Sequence, residues 1–207
     1  MRPLIVTAHM ASAFASSDPW SPMLDAILAY EVLRIRMGEE FYLCDPQRDG
    51  IVDFDLPLDR GTDGTDWWWA CSVPEYAGSE HVRWCHGRFD DRYEPYLDMG
   101  RAAKVQTAGG RYKDMRVPLI AKLTPTITWY VRGCDTCIRE LLRGVTHVGQ
   151  KRGAGYGLVH HWTVEPTDDD RSWYRWVPAP AGMTRGIRPP YWHRETQRPC
   201  VLPEAPL

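Results

Sequence analysis

Three groups of residues in this 207-residue chain have the types and spacing to do chemistry. The densest is "HVGQKRGAGYGLVHHW", His147 to Trp162, with Gly149, Gly153, Gly155 and Gly157 interleaved with Lys151, Arg152 and Tyr156. Glycines let a backbone approach a ligand closely, and the two cations suit a phosphate. A second group is the histidines His9, His147, His160, His161 and His193, which with tyrosines are the types used for metal-free RNA cleavage by general acid and base. In a strand, His160 and His161 are expected on opposite faces, which keeps them from one site. The third group is Cys134-x-x-Cys137, half of a zinc site, with Cys85-His86 as the other candidate half. The same thiols also read as small buried residues at a helix start.

The elements around the glycine stretch narrow its chemistry. A Walker loop, G-x-x-x-x-G-K-[S/T], is absent. A dinucleotide fingerprint needs a strand before the glycines and a helix after them. Here the order is reversed: "CDTCIRELLRGV" predicts a short helix before the loop, and "YGLVHHWTVE" a strand after it. The helix N-terminus that would bind a nucleotide phosphate is therefore missing. One or two glycines would end a helix. Four of them, with Lys151, Arg152 and Tyr156, exceed that need and favour a single nucleic-acid strand, with Tyr156 either stacked on a base or packed inward.

Upstream, "PLIVTAHM" predicts a buried strand. Thr7 and His9 interrupt it too early for a signal peptide, despite the Ala13-Phe14-Ala15 triplet. "SPMLDAILAYEVLRIRMG" predicts a helix capped by Ser21 and Pro22 and stopped by Gly38. "GIVDFDLPL" suggests a strand with Ile51 and Phe54 inward, and "WWWACSVPEY" a strand with mixed faces. Residues 78–114 read as an inserted hairpin, with a turn at Gly109-Gly110 and basic flanks that include Arg101, Lys104, Arg111, Lys113 and Arg116. "RVPLIAKLTPTITWYVRG" gives two extended segments broken at Pro125. Asp135 or Thr136 is the expected cap of the short helix. The tail over residues 166–207, rich in Pro, Trp and Arg, predicts an irregular arm packed on a domain of residues 1–165, with "RSWYRWVPAP" as a candidate added strand. The order strand, helix, strands, helix, glycine loop, strand fits an α+β, ferredoxin-like (RRM-like) unit with an insertion, although no RNP-type aromatic motif is visible.

Composition sets the bounds. Mean hydropathy is −0.44 and 43% of residues are hydrophobic, and no apolar run approaches the roughly 18 residues of a membrane span. Six cysteines in this length form no dense disulfide framework, so a reducing, cytoplasmic setting is expected. The net charge of −2 hides an asymmetry. Residues 1–70 hold five basic and twelve acidic residues, and residues 101–160 hold eleven and three. The basic half suits a polyanion and the acidic first third a basic partner subunit.

The stretch "VGQKRGAGYGLV" resembles the glycine-rich signature of the RAMP superfamily of CRISPR-associated proteins. With "PMLDAILAY", "GRYKDMRVPL", "CIRELLRGV" and "PPYWHR", the chain is similar to the RAMP branch found in type IV CRISPR–Cas effector complexes. The resemblance implies a RAMP domain with an inserted β-hairpin thumb, and a non-catalytic subunit that holds the 5′ handle of the guide RNA and caps the backbone filament. It implies guide RNA, backbone subunits and the large subunit as partners, target DNA only indirectly, no membrane, no cofactor and no metal. Mapped here, the RNA-binding residues are Gly149, Gln150, Lys151, Arg152, Gly153, Gly155, Tyr156 and Gly157. Arg111, Lys113 and Arg116 are added from the charge of their segment. The alternative is a metal-independent endoribonuclease that processes CRISPR precursor RNA.

Overall fold

The computed structural model describes residues 1–43, 52–97 and 104–204; the side chain of Arg111 also lies outside the described set, as do Ile51 and Arg101. The order is β1 (Arg2–Met10), β2 (Phe14–Ala15), α1 (Leu24–Met37), β3 (Arg60–Thr62), β4 (Trp67–Trp69), β5 (Ser79–Gly87), β6 (Met115–Leu123), β7 (Thr126–Gly133), α2 (Asp135–Leu142), β8 (Val159–Pro166), β9 (Val177–Gly186) and β10 (Gln197–Val201). No helix among the described residues is long and apolar enough to cross a membrane.

The central sheet runs β7-β1-β8, with β1 antiparallel to both neighbours. Alternation selects its inner face: Leu4, Val6 and Ala8 from β1, and Ile127, Trp129 and Val131 from β7, are all buried. The apolar residues Leu24 and Leu28 of α1, and Ile138 and Leu142 of α2, join the same core cluster. Trp129 anchors it and donates its indole N–H to the Pro22 carbonyl at 2.9 Å. Beyond β7, isolated antiparallel bridges Cys71–Val131 and Glu75–Thr128 lay the segment after β4 along the free edge. The result is a mixed α+β fold.

A second sheet, β2-β6-β5, carries a long ribbon in which β5 and β6 pair from Ser79–Leu123 to Gly87–Met115. The ribbon thus pairs the start of the expected 78–114 insertion with β6, which lies after it, and Gly110 has a left-handed φ of +71°.

Several expectations are corrected. α1 begins at Leu24, with Met23 rather than Ser21 in the capping position: the Met23 backbone is extended and its carbonyl accepts the first helical bond, from Ile27 N–H at 3.2 Å. Cys134, not Asp135 or Thr136, precedes the first turn of α2. Residues 52–58 form no strand; Pro57 and Leu58 touch the β7–α2 corner through single contacts, while Leu56 and Leu58 turn inward. The C-terminal arm is not irregular throughout: β9 and β10 pair as an antiparallel hairpin, so their backbone groups satisfy each other.

The arm is fastened by a buried charge network. Arg175, 1% exposed, donates to the Asp25 carboxylate at 3.3 Å, to the Trp69, Cys71 and Ile187 carbonyls, and to the Tyr191 hydroxyl at 2.9 Å. Tyr191 in turn donates to Asp25 at 2.6 Å. Burial pushes the Tyr191 hydroxyl well above its ordinary range and the Cys71 thiol up to about 12, so neither ionises at neutral pH.

Candidate nucleic-acid interface

The glycine stretch leaves α2, forms a loop and enters β8, so both ends are anchored in the core. Backbone bonds close its base: Val148 N–H donates to the Gly157 carbonyl, Gly157 N–H to Ala13 and Gln150 N–H to Ala15, each at 2.8 Å. Ser12 adds a side-chain clasp, donating to the Gly155 carbonyl at 3.0 Å and accepting from Leu158 N–H at 2.9 Å.

The four glycines divide into two pairs. Gly149 and Gly157 have positive φ, and a Cβ there would meet the Ala15 carbonyl oxygen at 2.7 Å and the Val148 carbonyl oxygen at 1.8 Å. They let the loop close on its own fold. Gly153 and Gly155, at the tip, would direct a Cβ into open space. The tip is therefore open toward solvent on the side where a Cβ would point, although Gly155, also at positive φ, is tied by its carbonyl to Ser12 and by its N–H to the Arg152 carbonyl.

Lys151 stands at φ +56°, a left-handed position unusual for a side-chain-bearing residue. Neither Lys151 nor Arg152 has a carboxylate partner among the described residues. The Arg152 guanidinium lies 4.8 Å from the centre of the Tyr30 ring on α1. The Tyr156 hydroxyl accepts from Arg83 of β5 at 3.4 Å, linking the loop to the long ribbon. Gln150 is exposed and bridges to Ala15 through its backbone. Arg116 is not brought to the loop: it pairs with His86, which alternates to the ribbon face opposite Arg83, and it stacks on Trp84 at 4.5 Å. Lys113 is exposed after the turn that precedes β6.

Beside the loop lies a cleft of about 950 Å³, walled by α1, by His147–Gln150 and Arg152, and by the arm. Sequence reasoning missed its aromatic lining, namely Trp20, Tyr30, Trp176 and Trp192. The density of tryptophan in the tail was the available signal. Trp20 and Trp176 meet edge to face at 6.0 Å, and Arg185 stacks on Trp176 at 5.1 Å while pairing with Asp18 at 3.1 Å. The Trp176 indole N–H is buried and has no acceptor among the described residues. Arg34 is neutralised by Glu31 at 2.5 Å, whose hydrogen bond and charge hold the guanidinium firmly protonated. The cleft thus sets ring faces beside one guanidinium, chemistry that suits unstacked bases and a phosphate.

The histidines behave differently from expectation. His9 and His161 stack with centroids 4.0 Å apart, and His160 reaches the same cluster, 5.1 Å from His161. The register shifts between His9 and Met10, so His160 is the extra residue of a β-bulge, and a bulge breaks strict alternation. Desolvation, followed by His9 and His160, lowers the His161 pKa. As for metal, no group of three or more His, Cys, Asp or Glu among the described residues is placed to hold an ion.

A mixed α+β fold with a glycine-rich loop between its last core helix and strand is consistent with a RAMP-superfamily accessory protein of CRISPR systems. Residues 85–203 match the family model described as CRISPR type IV associated protein Csf3, and the chain belongs to that family. The match takes in the end of β5, all of β6, the glycine loop and the arm as far as residue 203. Of the segments that carried the resemblance, only "PMLDAILAY" precedes it. No curated protein matches the chain.

Proposed function

We propose that this protein is the non-catalytic subunit of a type IV CRISPR effector ribonucleoprotein that holds the 5′ handle of the guide RNA and caps the backbone filament. The observation that carries the reading is the loop: a base closed by hydrogen bonds, a tip with open space at Gly153, and two cations without a carboxylate partner among the described residues, beside an aromatic cleft. In this reading Gly149, Gln150, Lys151, Arg152, Gly153, Gly155, Tyr156 and Gly157 cradle one strand. Arg111, Lys113 and Arg116 serve phosphates further along the ribbon, which is the thumb that meets a backbone subunit. The β7-β1-β8 sheet, with the 71–75 segment on its edge, is read as a ferredoxin-like unit of residues 1–165, and residues 166–207 as an extension packed on it.

The test replaces Lys151 and Arg152 together with Glu. Guide retention in the assembled complex should be lost, and the salt dependence of log K should fall by about 1.4 for two lost single-strand phosphate contacts. Unchanged retention overturns the proposal.

The His9–His160–His161 cluster favours one second reading, a metal-independent endoribonuclease. Product formed from cognate repeat RNA in the presence of chelator, and abolished by His161→Gln, would replace the non-catalytic reading.

A further inference from the structure

The thiol pair at the start of α2 lies outside the residues proposed to hold RNA. Cys134 stands at the N-terminal cap and Cys137 one turn later, with Sγ atoms 2.6 Å apart. The Cys134 thiol also meets the Thr136 hydroxyl at 3.2 Å. Cys134 is half-buried and Cys137 exposed, so both are open to a small reagent. The hydrogen bond from Cys137 and that from Thr136 lower the Cys134 pKa, while the Cys137 thiol is raised. The helix N-terminus adds partial positive charge beside Cys134. Asp135, between them, pairs with Arg2 of β1, so its charge is compensated. The other described cysteines differ: Cys71 and Cys200 are buried and raised by desolvation, and Cys85 is alone on β5. No third ligand stands by the pair among the described residues.

We propose that Cys134 and Cys137 form a thiol–disulfide exchange site whose co-substrate is a low-molecular-weight disulfide of the glutathione type. The Cys134 thiolate attacks one sulfur of the small disulfide. That S–S bond breaks, a small thiolate leaves, and a mixed disulfide forms on Cys134. Cys137 gives its proton to solvent and attacks Cys134 Sγ, expelling the second small thiolate. Two electrons pass from the protein dithiol to the small disulfide, yielding two small thiols.

The full chain is equilibrated in glutathione buffers of graded oxidation, the remaining thiols are alkylated, and the peptides are mapped by mass. The expected result is a Cys134–Cys137 disulfide that forms and reverses with the buffer. Cys137→Ser should trap glutathione on Cys134, and Cys134→Ser should form neither species; circular dichroism confirms that both variants fold. Full alkylation of both cysteines in excess oxidised glutathione overturns the proposal. So does trapping on Cys137 instead. Stoichiometric zinc in the purified protein, lost in Cys134→Ser, also overturns it in favour of a metal half-site.

Discussion

At the residue scale, identical residue types in one loop have different duties. Gly157→Ala should cost at least about 2 kcal/mol, since it combines a strained φ with a Cβ driven into the Val148 carbonyl. Gly153→Ala should leave the melting temperature unchanged, within about 0.5 kcal/mol, because its space is open. Thermal melts of the two variants check this directly, and any RNA defect in Gly153→Ala then belongs to the tip. His161 offers a titration. Its folded pKa lies below the ordinary value of 6.5, so the unfolded chain binds the proton first. Its contribution to stability is present above 6.5 and is lost as pH falls toward the folded value. Histidine NMR should show His161 titrating low, and His9→Gln should move it upward by removing a neighbouring positive charge. That these rings meet at all was hidden from the sequence, because a bulge is fixed by the partner strand's register and not by the strand that carries it.

Elements with a clear period were legible. The alternation of "TITWYVRG", the apolar spacing of α1 and its stop at Gly38, and the helix–loop–strand order around the glycines all appear in the structure. Ile35 is the exception on α1: it keeps the helical spacing yet is 61% exposed, because it lies past the part of the helix that the sheet covers. Of the β9–β10 hairpin only the start of β9 was legible, in "RSWYRWVPAP"; the rest was not, because the remainder of "VPAPAGMTRG" carries Gly and no alternating apolar residues. Nor was the Arg175–Asp25–Tyr191 network, whose members come from distant segments. Replacing Arg175 with Met leaves the buried Asp25 carboxyl without its counter-charge, so unfolding free energy should fall by about 3–5 kcal/mol. Tyr191→Phe removes one hydrogen bond to that carboxylate and should cost about 1.5–3 kcal/mol. Chemical denaturation of both variants gives the comparison.

For the whole molecule, the charge split alone is a weak guide to surfaces. Asp55 pairs with Arg60 at 2.9 Å and Asp59 with Arg132 at 3.4 Å, so part of the acidic first third is spent within the chain. Under the proposed function the ribbon is the better candidate for an assembly surface, because Val82, Trp84 and Met115 are 62%, 48% and 55% exposed. Trp84→Ser should leave the melting temperature of the isolated subunit intact and weaken its incorporation into the complex, read by co-purification with the other subunits. The buried pair has a further consequence for how the chain comes to life on the ribosome. Asp25 and Arg175 are 150 residues apart, and synthesis at roughly 5–20 residues per second separates their appearance by many seconds. Until Arg175 emerges, the start of α1 would have to bury a carboxylate without its counter-charge, so it stays undocked. The cleft wall formed by Trp176 and Trp192 is younger still. A nascent chain therefore has no finished cleft, and a ligand that needs this wall meets it only after Trp192 has been made.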